Sequence, residues 1–149
     1  MKKKNKVWIT GFNGMVGQAL NRNLMQNSNY KVLKTTRKIL DQTNQNKTQK
    51  WISENKPDVI IITSALVGGI QINSKIPADF LYENAIMGLN IIKAAHESNC
   101  RKIIFLGASC MYPKVAKQPF EENQILYGKV EDRNEGYAIS KILVIKYIQ

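Results

Sequence analysis

Apolar positions along the chain alternate between two kinds of pattern. Short continuous runs at 7–10, 31–35, 58–63 and 102–106 read as buried strands. Asp58-Val59-Ile60-Ile61-Ile62-Thr63 is apolar on both faces, as strands of a parallel sheet covered by helices are. Between these runs the period lengthens. Residues 15–25 carry apolar side chains at 15, 16, 19, 20 and 24, which predicts a helix. Residues 48–56 make a weaker helical segment, stopped by Pro57. Pro77 opens a long helix to about residue 98, with a broad apolar stripe at 80, 81, 85, 86, 89, 91, 92, 94 and 95. A polar, Pro-containing loop fills 108–134, and 135–149 begins another helix.

Strand alternating with helix predicts an α/β doubly wound parallel sheet with right-handed crossovers, a Rossmann-like domain taking up residues 1–149. The chain stops at the end of a helix with no strand to follow, so a fragment or truncated product is expected.

Composition changes this picture little. At 149 residues and 44% hydrophobic, the chain has material for one core. Its longest apolar stretch, 59–70, is broken by Thr63, Ser64, Gly68 and Gly69 and is too short to span a bilayer. No secretory leader is legible, so a cytoplasmic location is expected. Cys100 and Cys110 have no metal-type spacing, and no metal is expected. The net charge of +11 raises nucleic-acid binding, but only Lys2, Lys3, Lys4 and Lys6 form a dense run, without interleaved aromatics. Anionic small molecules, a phosphorylated cofactor and a nucleotide diphosphate sugar, account for the charge as well.

Gly11-Phe12-Asn13-Gly14-Met15-Val16-Gly17 sits between the first strand and the first helix. In that setting Gly11 permits a tight turn and Gly14 admits a pyrophosphate to the backbone. Gly17 lets helix and sheet approach, and the helix N-terminus, with Met15 and Val16, presents N–H groups to the anion. The second strand ends in Thr35-Thr36-Arg37-Lys38. The acid that binds a ribose 2′-hydroxyl is missing, and two cations suit a 2′-phosphate, which favours NADP(H) over NAD(H). Arg37 and Lys38 as plain surface charges stay open. Asp41 can accept from an adenine amino group or cap its own loop.

Tyr137-Ala138-Ile139-Ser140-Lys141 places Tyr137 and Lys141 one helical turn apart. An ammonium beside a phenol favours the phenolate, so the pair can move a proton at neutral pH, and Lys141 can also hold cofactor ribose hydroxyls.

Further blocks follow in order: Val67-Gly68-Gly69-Ile70, Pro77-Ala78-Asp79-Phe80, Tyr82-Glu83-Asn84, Phe105-Leu106-Gly107, Ser109-Cys110-Met111-Tyr112-Pro113-Lys114, Gln118-Pro119 and Asn134-Glu135. With the glycine loop and Tyr137, this series resembles the GDP-L-fucose synthase family of extended short-chain dehydrogenase/reductases. The resemblance covers the chain but only the N-terminal half of the family. It implies an NADP-dependent enzyme that epimerises GDP-4-keto-6-deoxy-mannose and then reduces the ketone. By the same resemblance Tyr137 and Lys141 are catalytic, Cys110 is an acid/base in epimerisation, Arg37 contacts the 2′-phosphate, and Gly68 and Asn84 border the ligands. A packing role for Cys110 and for Asn84 stays open, and His96 reads as structural. The family's Gly-Ser-Ser-Cys departs here: its first serine is Ala108, leaving Ser109 as the catalytic candidate, although neighbouring residues leaving a strand face opposite ways. The family's C-terminal half, with a further acid/base histidine and most sugar contacts, has no counterpart in the chain. Another nucleotide-sugar epimerase or dehydratase, or a non-catalytic nucleotide-binding remnant, stays open, as does a homodimer.

Overall fold

The computed structural model describes residues 4–149. Lys2 and Lys3 of the basic run therefore lie outside the described residues. The order is β1 (Asn5–Ile9), α1 (Met15–Met25), β2 (Tyr30–Lys34), α2 (Gln45–Asn55), β3 (Val59–Ile62), α3 (Ile70–Lys75), α4 (Pro77–Glu97), β4 (Lys102–Phe105) and α5 (Glu135–Ile148). Three single-turn 3₁₀ segments, Ser109–Met111, Glu122–Gln124 and Asp132–Asn134, punctuate the loop before α5. The strands form one parallel sheet in the order β2-β1-β3-β4. The alternation legible in the sequence is thus the alternation of the fold.

Contacts divide the chain into two compact units. The first runs to Ala65 and resumes over Met87–Leu106; the second comprises Leu66–Ile86 and Gly107–Gln149.

In the first unit the sheet forms because its central strands are apolar on both faces: Val7, Trp8 and Ile9 of β1, and Ile60, Ile61 and Ile62 of β3, are all buried. Leu20 and Leu24 of α1 cover Val7, Ile9 and Ile61. Each such aliphatic side chain contributes about 1.5–3 kcal/mol when fully buried. On β1, Trp8 lies 4.4 Å from Trp51 of α2, the rings tilted by 37°. Its indole N–H donates to the Thr35 hydroxyl at 3.0 Å. Helix α2 starts three residues earlier than its apolar pattern shows, because Asn44 caps it by accepting from the Lys47 N–H at 2.9 Å. It ends on Lys56 in the left-handed region, directly before Pro57.

In the second unit Met111, Val130, Ala138 and Ile142 form a small core, with Cys110, Ile125 and Ile145 packed against it. Asn84 clamps the segment after β3: its Oδ1 accepts from the Leu66 N–H at 2.7 Å, and its Nδ2 donates to the Leu66 and Phe80 carbonyls. The amide of Asn84 is therefore taken up by backbone, the packing alternative. His96 is an exposed residue of the last turn of α4. Among the described residues no helix is long and apolar enough to cross a membrane.

Candidate functional site

The first unit carries Gly11, Gly14, Met15, Val16, Gly17, Arg37 and Asp41. Gly11 has φ +64, and a Cβ there would lie 2.8 Å from the Ser64 backbone. Gly17 is buried, and a Cβ on it would lie 2.5 Å from the Gly11 carbonyl oxygen. Both positions therefore demand glycine, and the loop folds back on itself with the Gly14 N–H donating to the Gly11 carbonyl at 2.9 Å. Gly14 is the N-cap of α1 and gives it no side-chain cap. Met15 and Val16, which open the first turn, are exposed, and the first N–H groups of a helix have no intrahelical acceptor, so an anion can accept from them.

Arg37 and Lys38 are exposed on the segment after β2. Asp41 shapes the next turn: its Oδ1 accepts from the Thr43 N–H at 3.1 Å and the Thr43 hydroxyl at 2.8 Å. These bonds, and more weakly the Arg37 and Lys47 charges, hold its carboxyl below the usual range. One oxygen thus does the loop-capping work that the sequence offered as the alternative to an adenine contact.

Behind the glycine loop lies a set of polar contacts that pattern reading missed. The Thr10 hydroxyl accepts from the Thr63 and Ser64 N–H groups, both at 3.1 Å, and lies 2.8 Å from the Ser64 hydroxyl. Ser64 donates in turn to the Gln42 side-chain oxygen at 2.6 Å. The available signal was a hydroxyl residue, Thr10, ending an otherwise apolar strand directly before the first glycine.

The second unit carries Ser109, Cys110, Tyr137 and Lys141. Tyr137 and Lys141 follow one another along α5, and the Lys141 ammonium stands 5.5 Å from the centroid of the Tyr137 ring. Phe80 meets the same ring edge-on at 6.4 Å. The Ser140 hydroxyl, fully buried, is satisfied within the helix by donating to the Tyr137 carbonyl at 2.6 Å. Cys110 packs against the small core that Ala138 and Ile142 of the same helix help form. Ala108, the position before the 3₁₀ turn, is extended and half-buried, while Ser109 opens the turn exposed.

Electrostatics here departs from the sequence expectation. Burial, and secondarily the Cys110 charge, raises the Tyr137 phenol above its ordinary value instead of lowering it. Burial likewise pushes the Cys110 thiol up, against the opposing pull of Lys141. Lys141 is only 5% exposed, and the same desolvation lowers its ammonium to about 8. The uncharged forms of all three are favoured because each charge would lose hydration without full compensation. A phenol and a thiol that keep their protons, beside an amine that titrates near neutrality, make a group able to donate and exchange protons. Among the described residues no three His, Cys, Asp or Glu side chains form a metal-holding group.

The model of the NAD dependent epimerase/dehydratase family matches residues 7–149. A GDP-L-fucose synthase from Sinorhizobium fredii is 43% identical over 144 residues, covering 97% of this chain and 46% of that protein. The GDP-L-fucose synthase of Escherichia coli is 42% identical, covering 96% of this chain and 44% of its own length. Among solved structures, a GDP-mannoheptose C4 reductase from Campylobacter jejuni with NADP bound matches with a TM-score of 0.92 and 32% identity, over 99% of this chain and 44% of that one. The chain thus spans under half the length of the curated relatives it matches.

Proposed function

Because the chain belongs to the NAD dependent epimerase/dehydratase family, we propose that it forms the cofactor-binding part of a cytoplasmic, NADP(H)-dependent epimerase-reductase acting on GDP-4-keto-6-deoxy-mannose. The observation that carries this reading is the placing of Tyr137 and Lys141 one turn apart on α5, the Lys141 ammonium 5.5 Å from the centroid of the Tyr137 ring, with Cys110 packed against the small core that α5 helps form. The names of the synthases at 42–43% identity support the sugar, and the NADP of the Campylobacter reductase supports the cofactor.

The residues present fit that cofactor. The uncapped first turn of α1, at Met15 and Val16, suits its pyrophosphate, at the end of a loop whose tight fold the glycines at 11 and 17 permit. Arg37, with Lys38 beside it, suits the 2′-phosphate. The second carboxylate oxygen of Asp41 suits the adenine amino group. When bound, NADPH supplies the hydride for ketone reduction. Tyr137, holding its proton at neutral pH, donates it to the sugar oxygen that gains charge. Lys141 orders ribose hydroxyls and restores the Tyr137 proton. Cys110, protonated at rest, supplies the acid limb of epimerisation and becomes a base once its proton has passed on.

Ala108 favours a second reading, a nucleotide-binding chain without turnover. It lacks the hydroxyl of the family's first serine, and Ser109 stands exposed on the turn. One experiment separates the readings: NADPH oxidation with GDP-4-keto-6-deoxy-mannose, for wild type and Ala108→Ser, each extended with the C-terminal half of a related synthase. The enzyme reading expects the variant to gain in kcat, by up to about 100-fold, with KM little changed, since the restored bond strengthens as charge builds on the sugar oxygen. NADPH binding with no oxidation by either protein sinks the enzyme reading and leaves the second.

A further inference from the structure

Asn90 occupies the apolar stripe of α4, between Leu89 and Ile91, and is 5% exposed. A buried amide at such a position costs stability unless its donors are satisfied. Both go to consecutive carbonyls of one turn: the Asn90 Nδ2 donates to the Gln42 carbonyl at 3.0 Å and the Thr43 carbonyl at 2.9 Å. One amide bonded to both carbonyls fixes the two peptide planes of this turn. The Gln42 carbonyl also accepts from the Thr48 hydroxyl at 3.4 Å. The Gln42 side chain continues the line to Ser64 and Thr10, the residue before Gly11. At the near end of the turn stands Asp41, whose Oδ1 is bound to Thr43 and whose charge feels Arg37.

We propose that Asn90 is a positioning residue for the adenosine end of the cofactor: it holds the turn at residues 41–43 so that Asp41 and the Arg37 segment present a fixed surface to the adenine and the 2′-phosphate. The assignment rests on the NADP(H) reading above. Asn90 touches no ligand itself and acts through Gln42 and Thr43. The line of bonds ends at Thr10, so the turn is also held at a set distance from the glycine loop.

The test uses the full chain and two probes, adenosine 2′,5′-bisphosphate for the adenosine end and inorganic pyrophosphate for the glycine loop. Both are titrated calorimetrically, well below each variant's melting midpoint. Asn90→Leu removes both donors at similar size, and Asn90→Asp presents an acceptor to the two carbonyls. Asn90→Ser adds no bulk and keeps one donor, so it serves if the first two fail to fold. The expected result is binding of the bisphosphate weakened about tenfold by Leu and Asp and less by Ser, with pyrophosphate affinity held within about twofold. Unchanged bisphosphate affinity overturns the proposal. Equal loss for both probes overturns it as well, because that is general loosening of the core. A wild type that binds no bisphosphate at all removes the NADP(H) reading itself, and Asn90's role with it.

Discussion

In the first unit the buried polar side chains are neutral and bonded to one another or to backbone: Thr10 with Ser64, Ser64 with Gln42, Asn90 with Gln42 and Thr43, Trp8 with Thr35. In the second, a buried lysine, Lys141, and two half-buried groups, Cys110 and Tyr137, are shifted toward their uncharged forms, with desolvation the largest cause for each, a shift that Cys100 of the first unit shares. The two strategies suit different work. Neutral bonded groups keep their geometry across a wide pH range and therefore serve as bracing. Desolvated titratable groups have pKa values set by their surroundings and therefore serve as proton carriers.

The most severe way to break this contrast is Tyr137→Phe. If the second unit carries protons, the variant, in a chain extended with the C-terminal half of a related synthase, loses about 10²–10⁴ in kcat with the keto sugar while its melting midpoint moves little, because the ring and its edge contact with Phe80 remain. Activity surviving at the wild-type level would remove Tyr137 from the proton path.

Lys141→Met tests the cost of burying charge. With an ammonium lowered from 10.5 to about 8, the folded state below that pH carries a buried charge that the unfolded state hydrates freely. Between about 8 and 10.5 the unfolded chain binds more protons than the folded one, so wild-type stability rises with pH across that window. The methionine variant is therefore expected to be more stable than wild type at pH 7, by roughly 2 kcal/mol, with the gap closing over the same window. Urea titrations at a series of pH values check this; a variant less stable at neutral pH would mean that Lys141 is held by attraction more than it is penalised by burial.

Arg37→Ala sharpens the other side. The variant should weaken NADP⁺ binding about tenfold while NAD⁺ binding stays the same. Equal wild-type affinities for the two cofactors would remove Arg37's assigned role.

The parallel sheet was legible because its strands are short apolar runs and its helices carry broad stripes, and those periods survive without any knowledge of contacts. The glycine loop was legible for a similar reason: φ at Gly11 and crowding at Gly17 restrict the residue type locally. Helix α3 escaped because Ile70-Gln71-Ile72-Asn73-Ser74-Lys75 is barely more than one turn, with no stripe to reveal its period. Asn90 escaped because its partners lie 47 and 48 residues away, and no local pattern encodes a bond of that range. The direction of the Tyr137 shift escaped too. Spacing shows that Lys141 is a neighbour, but only packing shows how much water each group loses, and here desolvation outweighs proximity.

Trp8 and Trp51 are the two tryptophans of the chain, and both belong to the first unit, stacked at a tilt within 4.4 Å. Light absorbed at the red edge of the aromatic band therefore interrogates that unit alone, while the near-ultraviolet circular dichroism of the coupled indoles is a signature of their fixed mutual angle. The second unit is silent in this channel and visible through its tyrosines and through the helical signal of α5. Following tryptophan emission and far-ultraviolet ellipticity along one denaturation curve thus reads the molecule through two windows. Coincident transitions mean that the two units melt as one cooperative body, and a split means that each holds its own stability.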